Sequence, residues 1–264
     1  MLPIIFNIGS VTFYTYGFLL AVGIFLESFI IWRRLRDAGL KEEKIIDFII
    51  LALLLGLIFS RLIFIIQNFS YFGWHLTRWV LFARYPGLST LGWWFGMLLA
   101  LWRFVKTEKW NFWRMADEIT FGLFPFLILL QLGSFLDGSG FGRSTNMPWG
   151  IYFPGILLKR HPLSLFSAFF LFIIWFFLIK IERHWRIWEW YKSKENGFIL
   201  LTASGLIFLT NLPLAFIREA RVYLYWGQIA LNFIALIFVF SLFYFRSGRT
   251  LKKNYDKQKE TKNN

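Results

Sequence analysis

The sequence predicts an all-α polytopic membrane protein with about seven transmembrane helices, the N-terminus outside and the C-terminus cytoplasmic. Three observations carry this. The chain is 57% hydrophobic and 22% aromatic with only 17% charged residues, a balance outside the range of soluble domains. Seven apolar segments are long enough, at roughly 20 residues each, to cross a bilayer. Lys and Arg are concentrated in alternate connections between those segments, the pattern left by positive-inside orientation.

The expected spans lie near residues 11–32, 45–66, 88–105, 116–136, 163–182, 197–217 and 226–245. The first follows Met-Leu-Pro-Ile-Ile-Phe, which has neither a basic stretch nor a small-residue cleavage site, and reads as an uncleaved signal anchor. Glu27 and Asp47 fall toward the inner ends of the first two spans, where pairing with the basic first loop is expected. The third span is the shortest. The fourth runs into a glycine-rich loop, and the fifth starts just after Arg160-His161-Pro162. The sixth contains Asn211 and Pro213, and the proline is expected to bend it. No connection is long enough to bury a soluble core. Residues 1–245 therefore read as one integral-membrane domain, and 246–264 as a basic, disordered cytoplasmic tail. No fixed-period repeat is visible, which disfavours the repeat-built transporter folds.

The net charge of +14 is a topology signal, not a nucleic-acid footprint. Of the 29 Lys and Arg, 21 lie in the connections expected inside, from Arg33 to Lys44, Arg103 to Arg114, Lys180 to Lys194 and Arg246 to Lys262. Attraction to anionic lipid is the expected by-product. The absence of cysteine excludes disulfides, a thiol nucleophile and cysteine metal sites. His75, His161 and His184 are too far apart in sequence for a compact local metal site, and neither metal nor cofactor is expected.

Residues 131–143, Gln-Leu-Gly-Ser-Phe-Leu-Asp-Gly-Ser-Gly-Phe-Gly-Arg, are the most informative stretch. Gly133, Gly138, Gly140 and Gly142 permit close backbone approach, and Ser134, Asp137, Ser139 and Arg143 bring polar groups to the edge of a span. Irregular polar backbone at that depth survives only inside protein or beside water; the plain alternative is an ordinary extramembrane loop. Arg61 lies within the second span and is a functional candidate by its cost alone, with snorkelling to the interface as the bland reading. Residues 67–88 mix Trp74, Trp79, Tyr71 and Tyr85 with Arg78, Arg84 and His75, which suits an arm in the headgroup layer or a plain aromatic belt. His161 stands among arginines at an external helix start, as a candidate base or only a boundary signal.

In their order along the chain these patterns resemble the prolipoprotein diacylglyceryl transferase family. Ile8-Gly9, Tyr16-Gly17 and Gly23 are similar to its opening span, and Ser60-Arg61 to its second. Ser89, Gly92 and Gly96 fall where the family carries Ser-x-His-Gly-Gly-x-x-Gly. Gly133, Phe135, Gly138, Gly142 and Arg143 follow its Gly-Asn-Phe-x-Asn-Gly-Glu-x-x-Gly-Arg signature. Arg160-His161-Pro162 and Leu165 fit Arg-His-Pro-x-x-Leu-Tyr-Glu, and Arg218-Glu219 with Gly227-Gln228 fit the last external elements. The resemblance implies a multi-pass protein of the bacterial plasma (inner) membrane. It also implies transfer of diacylglycerol from phosphatidylglycerol to the lipobox cysteine of exported lipoprotein precursors. Phosphatidylglycerol, those precursors and membrane lipids are then its partners. By resemblance and chemistry, Arg61, Arg143, Tyr16, Gly142, Arg160 and Arg218 are the candidate substrate-binding residues and His161 the candidate base.

The departures remove charge. Leu91 stands for the family's histidine and Trp93 for the next glycine. Gln131, Ser134 and Ser139 stand for arginine, asparagine and glutamate, and Asp137 for the second signature asparagine. Asn211 and Ala215 replace an Arg-x-x-x-Glu pair, and Phe166-Ser167 replace Tyr-Glu. Two readings stay open on sequence: a divergent transferase with reduced turnover, and a catalytically silent paralogue that binds lipid or a signal peptide. A small-molecule transporter is a third, disfavoured by the missing repeats.

Overall fold

The computed structural model describes residues 1–8, 11–81, 84–85, 87–188, 190–219 and 222–248. Gly9, Arg221 and the tail from residue 249 onward lie outside the described residues. The chain forms two compact units, Met1–Ile31 with Asp117–Asn264, and Trp32–Ala116.

A short antiparallel hairpin opens the chain, β1 (Ile4–Ile8) paired with β2 (Val11–Tyr14). Residues 11–14, expected to begin the first span, belong to this hairpin instead. Helix α1 (Thr15–Asp37) starts directly after it. Helices α2 (Glu42–Gln67), α3 (Phe69–Phe72), α4 (Leu76–Val80) and α5 (Thr90–Glu108) follow. The remainder is α6 (Phe112–Asp137), α7 (Leu163–Glu182), a 3₁₀ turn at Trp185–Ile187, α8 (Phe198–Ile217) and α9 (Val222–Arg246). Both Pro125 and Pro213 are accommodated inside helices, in α6 and α8.

Six of these helices, α1, α2, α6, α7, α8 and α9, are long and apolar enough to cross a membrane. This establishes an all-α polytopic membrane protein. The seventh long helix, α5, falls short of that apolarity. It forms where the third span is expected, but Arg103, Lys106 and Glu108 load its C-terminal turns and three tryptophans dilute its apolarity.

In the smaller unit α5 is nevertheless built to lie along α2. At one end the Ser60 hydroxyl donates to the Ser89 carbonyl (2.9 Å) and the Ser89 N–H to the Ser60 carbonyl (3.0 Å). At the middle, Gly96 passes so close to α2 that a Cβ there would lie 2.3 Å from the Leu55 carbonyl oxygen, and one at Gly92 would lie 2.2 Å from that of Phe59. Small residues four apart let helix backbones approach in this way. Farther along, Phe48 meets Phe104 with ring centroids 5.2 Å apart, and Lys44 pairs with Glu108 at 3.0 Å. The two helices thus run antiparallel over nearly the full length of α2.

In the larger unit, one end is closed by an aromatic core. Trp185 stacks on Phe198 at 4.8 Å, and Tyr191 meets the same ring edge-on at 5.0 Å. The buried Asp117 carboxylate from α6 accepts the N–H groups of Gly197 (2.5 Å) and Leu200 (2.8 Å). It thereby satisfies orphan donors at the start of α8. Glu27 does not find the ionic partner expected of it: it is 3% exposed, and neither carboxylate oxygen has a hydrogen-bond partner among the described residues.

Because α5 follows α2 along its length, a bilayer that α2 crosses must be crossed by α5 as well. Reporter fusions after His75 and after Lys109 are therefore expected on opposite sides of the membrane. Finding both on one side would reduce α5 to a surface helix.

Candidate functional site

The site is built at one end of the larger unit, where α1 and α7 begin and α6 and α8 finish. At the end of α6, the Ser134 carbonyl accepts the N–H groups of Ser139 and Gly140, both at 3.1 Å, which turns the chain out of the helix. The loop then comes against the start of α7. The Ser164 N–H and hydroxyl both donate to the Gly140 carbonyl, at 3.1 and 2.9 Å. There is no room at residue 140 for a side chain, since a Cβ would overlap the Ser164 hydroxyl at 1.9 Å.

The next residues form the centre of the arrangement. The Gly142 N–H donates to the His161 carbonyl (2.8 Å), and the His161 N–H returns a bond to the Arg143 carbonyl (3.1 Å). The Arg143 N–H donates to the Ile217 carbonyl at the end of α8 (2.7 Å). A Cβ at residue 142 would stand 2.4 Å from that same carbonyl oxygen, so only glycine permits the approach. Residues 144–160 extend this pairing as a small hairpin, with Thr145 bonded to Lys159 and Ile151 exchanging both bonds with Arg160.

Gly142, Arg143, Arg160, His161 and Arg218 are thereby tied together through the backbone. Arg143 is exposed. The Arg160 guanidinium ion-pairs with Glu219, donates to the Gly142 carbonyl (3.3 Å) and lies 5.1 Å from the Phe141 ring centroid. Arg218 donates to the Gln228 side-chain oxygen (3.5 Å), and burial lowers its pKa from the ordinary arginine value. An arginine remains cationic throughout the physiological range all the same. Tyr16, in the first turn of α1, packs on α6, where a Cβ at Gly133 would meet its ring at 3.3 Å.

His161 has a feature the sequence did not reveal. The Trp149 indole N–H donates to its Nδ1 at 3.1 Å, and the Trp149 and Phe166 rings flank the imidazole with centroids 6.4 Å away in each case. Trp149 was missed because it is twelve residues from His161 on the opposite limb of the hairpin. The Met147-Pro148-Trp149-Gly150 turn signature was the available clue. His184 bonds the Lys180 carbonyl near the far end of α7, about 30 Å from His161 by helix rise.

Arg61 belongs to the smaller unit. It is 5% exposed, and its guanidinium donates to the carbonyls of Trp79 (2.9 Å), Gly87 (3.0 Å) and Arg78 (2.8 Å), with Phe72 beneath it at 5.1 Å. Within its own unit it therefore fixes the aromatic arm that follows α2. That work accounts for a buried arginine without invoking a ligand.

The sites of lost charge are also visible. The Ser134 and Ser139 hydroxyls lie 3.1 Å apart and bond each other. Ala215 is buried, Ser167 bonds back to the Leu163 carbonyl, and Leu91 projects outward at 67% exposure. At these positions the expected ionisable or amide groups give way to hydroxyls and apolar side chains.

The family model for prolipoprotein diacylglyceryl transferase matches residues 3–245. Among relatives, the phosphatidylglycerol–prolipoprotein diacylglyceryl transferase of Clostridioides difficile is 29% identical over 197 residues, 75% of either chain. The protein of the same name from Campylobacter lari is 31% identical over 198 residues, covering 69% of this chain and 68% of its own. That of Brucella anthropi is 28% identical over 249 residues, covering 88% and 85%. With a match over nearly its whole length, the chain belongs to the prolipoprotein diacylglyceryl transferase family.

Proposed function

We propose that this protein binds phosphatidylglycerol at the loop-bearing end of its larger unit and acts in diacylglyceryl transfer to the lipobox cysteine of exported lipoprotein precursors. Its turnover is far below that of a relative with the full motif. It sits in the bacterial plasma membrane with the N-terminus outside and the basic tail in the cytoplasm. The observation that carries the reading is the backbone-tied cluster of Gly142, Arg143, Arg160, His161 and Arg218. It presents cations and loop backbone at the ends of membrane helices, where a lipid phosphate resides. Arginine is suited to that role because its planar fork matches phosphate geometry.

The reaction forms a bond between the cysteine sulfur and a glycerol carbon and breaks that carbon's bond to the phosphate oxygen. Glycerol phosphate leaves with the electron pair. The thiol must give up its proton, and the leaving phosphate must be held by cations. Arg143 and Arg218 serve the phosphate here, and Arg160 does so at a discount because Glu219 already neutralises it. Losing a single group aimed at developing charge costs about 10²–10³ in rate. The chain has lost several at once. The proton acceptor is also compromised, since the Nδ1 lone pair of His161 is engaged by Trp149.

A second reading is supported by the Ser134–Ser139 hydroxyl pair: a silent family member that keeps lipid binding and has shed transfer. The two differ in one measurement. In liposomes with phosphatidylglycerol and a lipobox peptide, the unmodified chain is expected to transfer at least about 100-fold more slowly than a motif-complete relative. Full activity would contradict the reading. The triple replacement Gln131→Arg, Ser134→Asn, Ser139→Glu is expected to raise transfer by about tenfold or more if the scaffold still supports chemistry. No gain would favour the silent member.

Binding is expected to survive where turnover does not. Arg143→Ala should weaken phosphatidylglycerol binding by about tenfold, the scale of one charge-assisted contact. Binding unchanged by that substitution would remove Arg143 from the headgroup site.

A further inference from the structure

We infer, building on the headgroup reading, that Trp149 sets the tautomer of His161 and so makes it a hydrogen-bond donor to a phosphate oxygen, not the proton acceptor for the thiol. An indole nitrogen only donates. The imidazole nitrogen facing it, Nδ1 at 3.1 Å, must therefore present its lone pair. A neutral imidazole carries one proton, which this contact leaves on Nε2. Nε2 has no hydrogen-bond partner among the described residues. The only lone pair on the ring is then occupied, and the open nitrogen carries a hydrogen.

The geometry holds both rings in place. The His161 N–H and carbonyl are bonded to Arg143 and Gly142, and Leu163 donates to the same carbonyl at 2.9 Å. Trp149 sits in a turn closed by the Gly150 N–H to the Met147 carbonyl (3.0 Å), with Met147 bonded to the Thr145 hydroxyl (3.2 Å). The Ile151–Arg160 exchange then returns the chain toward His161. Arg160 is the preceding residue and Arg143 is its backbone partner. An Nε2–H in a loop cluster that carries two arginines is chemically matched to an anionic phosphate oxygen. A thiol proton has no lone pair to go to unless the Trp149 bond breaks. Trp149 is thus a positioning residue that acts through His161.

The test uses the full chain in nanodiscs, with ¹⁵N-labelled histidine and three probes: phosphatidylglycerol, uncharged diacylglycerol and inorganic phosphate. Long-range ¹⁵N–¹H correlations should give the Nε2–H tautomer for His161, and Trp149→Phe should convert it to a mixture. His161→Ala should weaken phosphatidylglycerol binding about tenfold, a change of about 1.4 kcal/mol. His161→Gln, whose amide N–H₂ reaches the place of Nε2–H, should recover most of it, and Trp149→Phe should lose about threefold. Competition by inorganic phosphate supports a site for phosphate oxygens in general, and its failure to compete supports one for lipid phosphate. An Nδ1–H tautomer in the unmodified chain, or Gln as weak as Ala, overturns the donor role. Equal binding of phosphatidylglycerol and diacylglycerol by the unmodified chain defeats the headgroup reading and the phosphate ligand with it. The tautomer spectrum judges Trp149 separately, since it requires no added lipid.

Discussion

The larger unit depends on one contact that has almost no side chain in it. Gly142 lies against the carbonyl of Ile217 while the neighbouring Arg143 N–H bonds that carbonyl. At the rim of a membrane an irregular loop must find partners for its N–H and C=O groups within the protein. Here the last turn of α8 and the residues before α7 supply them. Because the loop is anchored by backbone, its side chains are left for other work. Arg143, Arg160, His161 and Arg218 are thereby brought into one loop cluster by backbone contacts.

This division explains how a family scaffold outlasts its charges. Gly92, Gly96 and Gly142, which allow the close approaches, match the family pattern although Trp93 replaces another glycine, and the His-Pro that starts α7 is kept. The residues that depart from the family pattern, Gln131, Ser134, Ser139, Asn211 and Ala215, leave the backbone contacts of the loop intact. Replacing a charge by a neutral residue costs the fold little, because a buried charge that has no ligand to serve is itself a burden. Phosphate recognition needs only a few well-placed cations, whereas transfer needs several groups acting together. On the function proposed above, binding outlasts such a loss.

Much of this was legible in sequence, for identifiable reasons. Five of the expected spans agree with helices to within a few residues, because a long apolar run must hydrogen-bond to itself in lipid. Helix α5 was harder to assign as a span, since its apolar face is interrupted by Arg103 and Lys106 and its place depends on glycines set against α2. The hairpin at residues 4–14 was hidden because its apolar residues read as the approach to a span. Arg61 was conspicuous as a buried cation, but which carbonyls receive it is a tertiary fact. Gly142 was found through the glycine-rich motif. Trp149 was not, because contacts across a hairpin leave no periodic trace.

The phospholipid site proposed above depends on loop backbone geometry and not on charge alone. The most direct measurement is phosphatidylglycerol affinity of Gly142→Val in nanodiscs, with helix content followed in parallel. This substitution alters no charge and forces the loop off the Ile217 carbonyl. The account predicts a loss of affinity about as large as that from removing one arginine, roughly tenfold, with helix content retained. Affinity equal to that of the unmodified chain, in a protein of equal helix content, would contradict it.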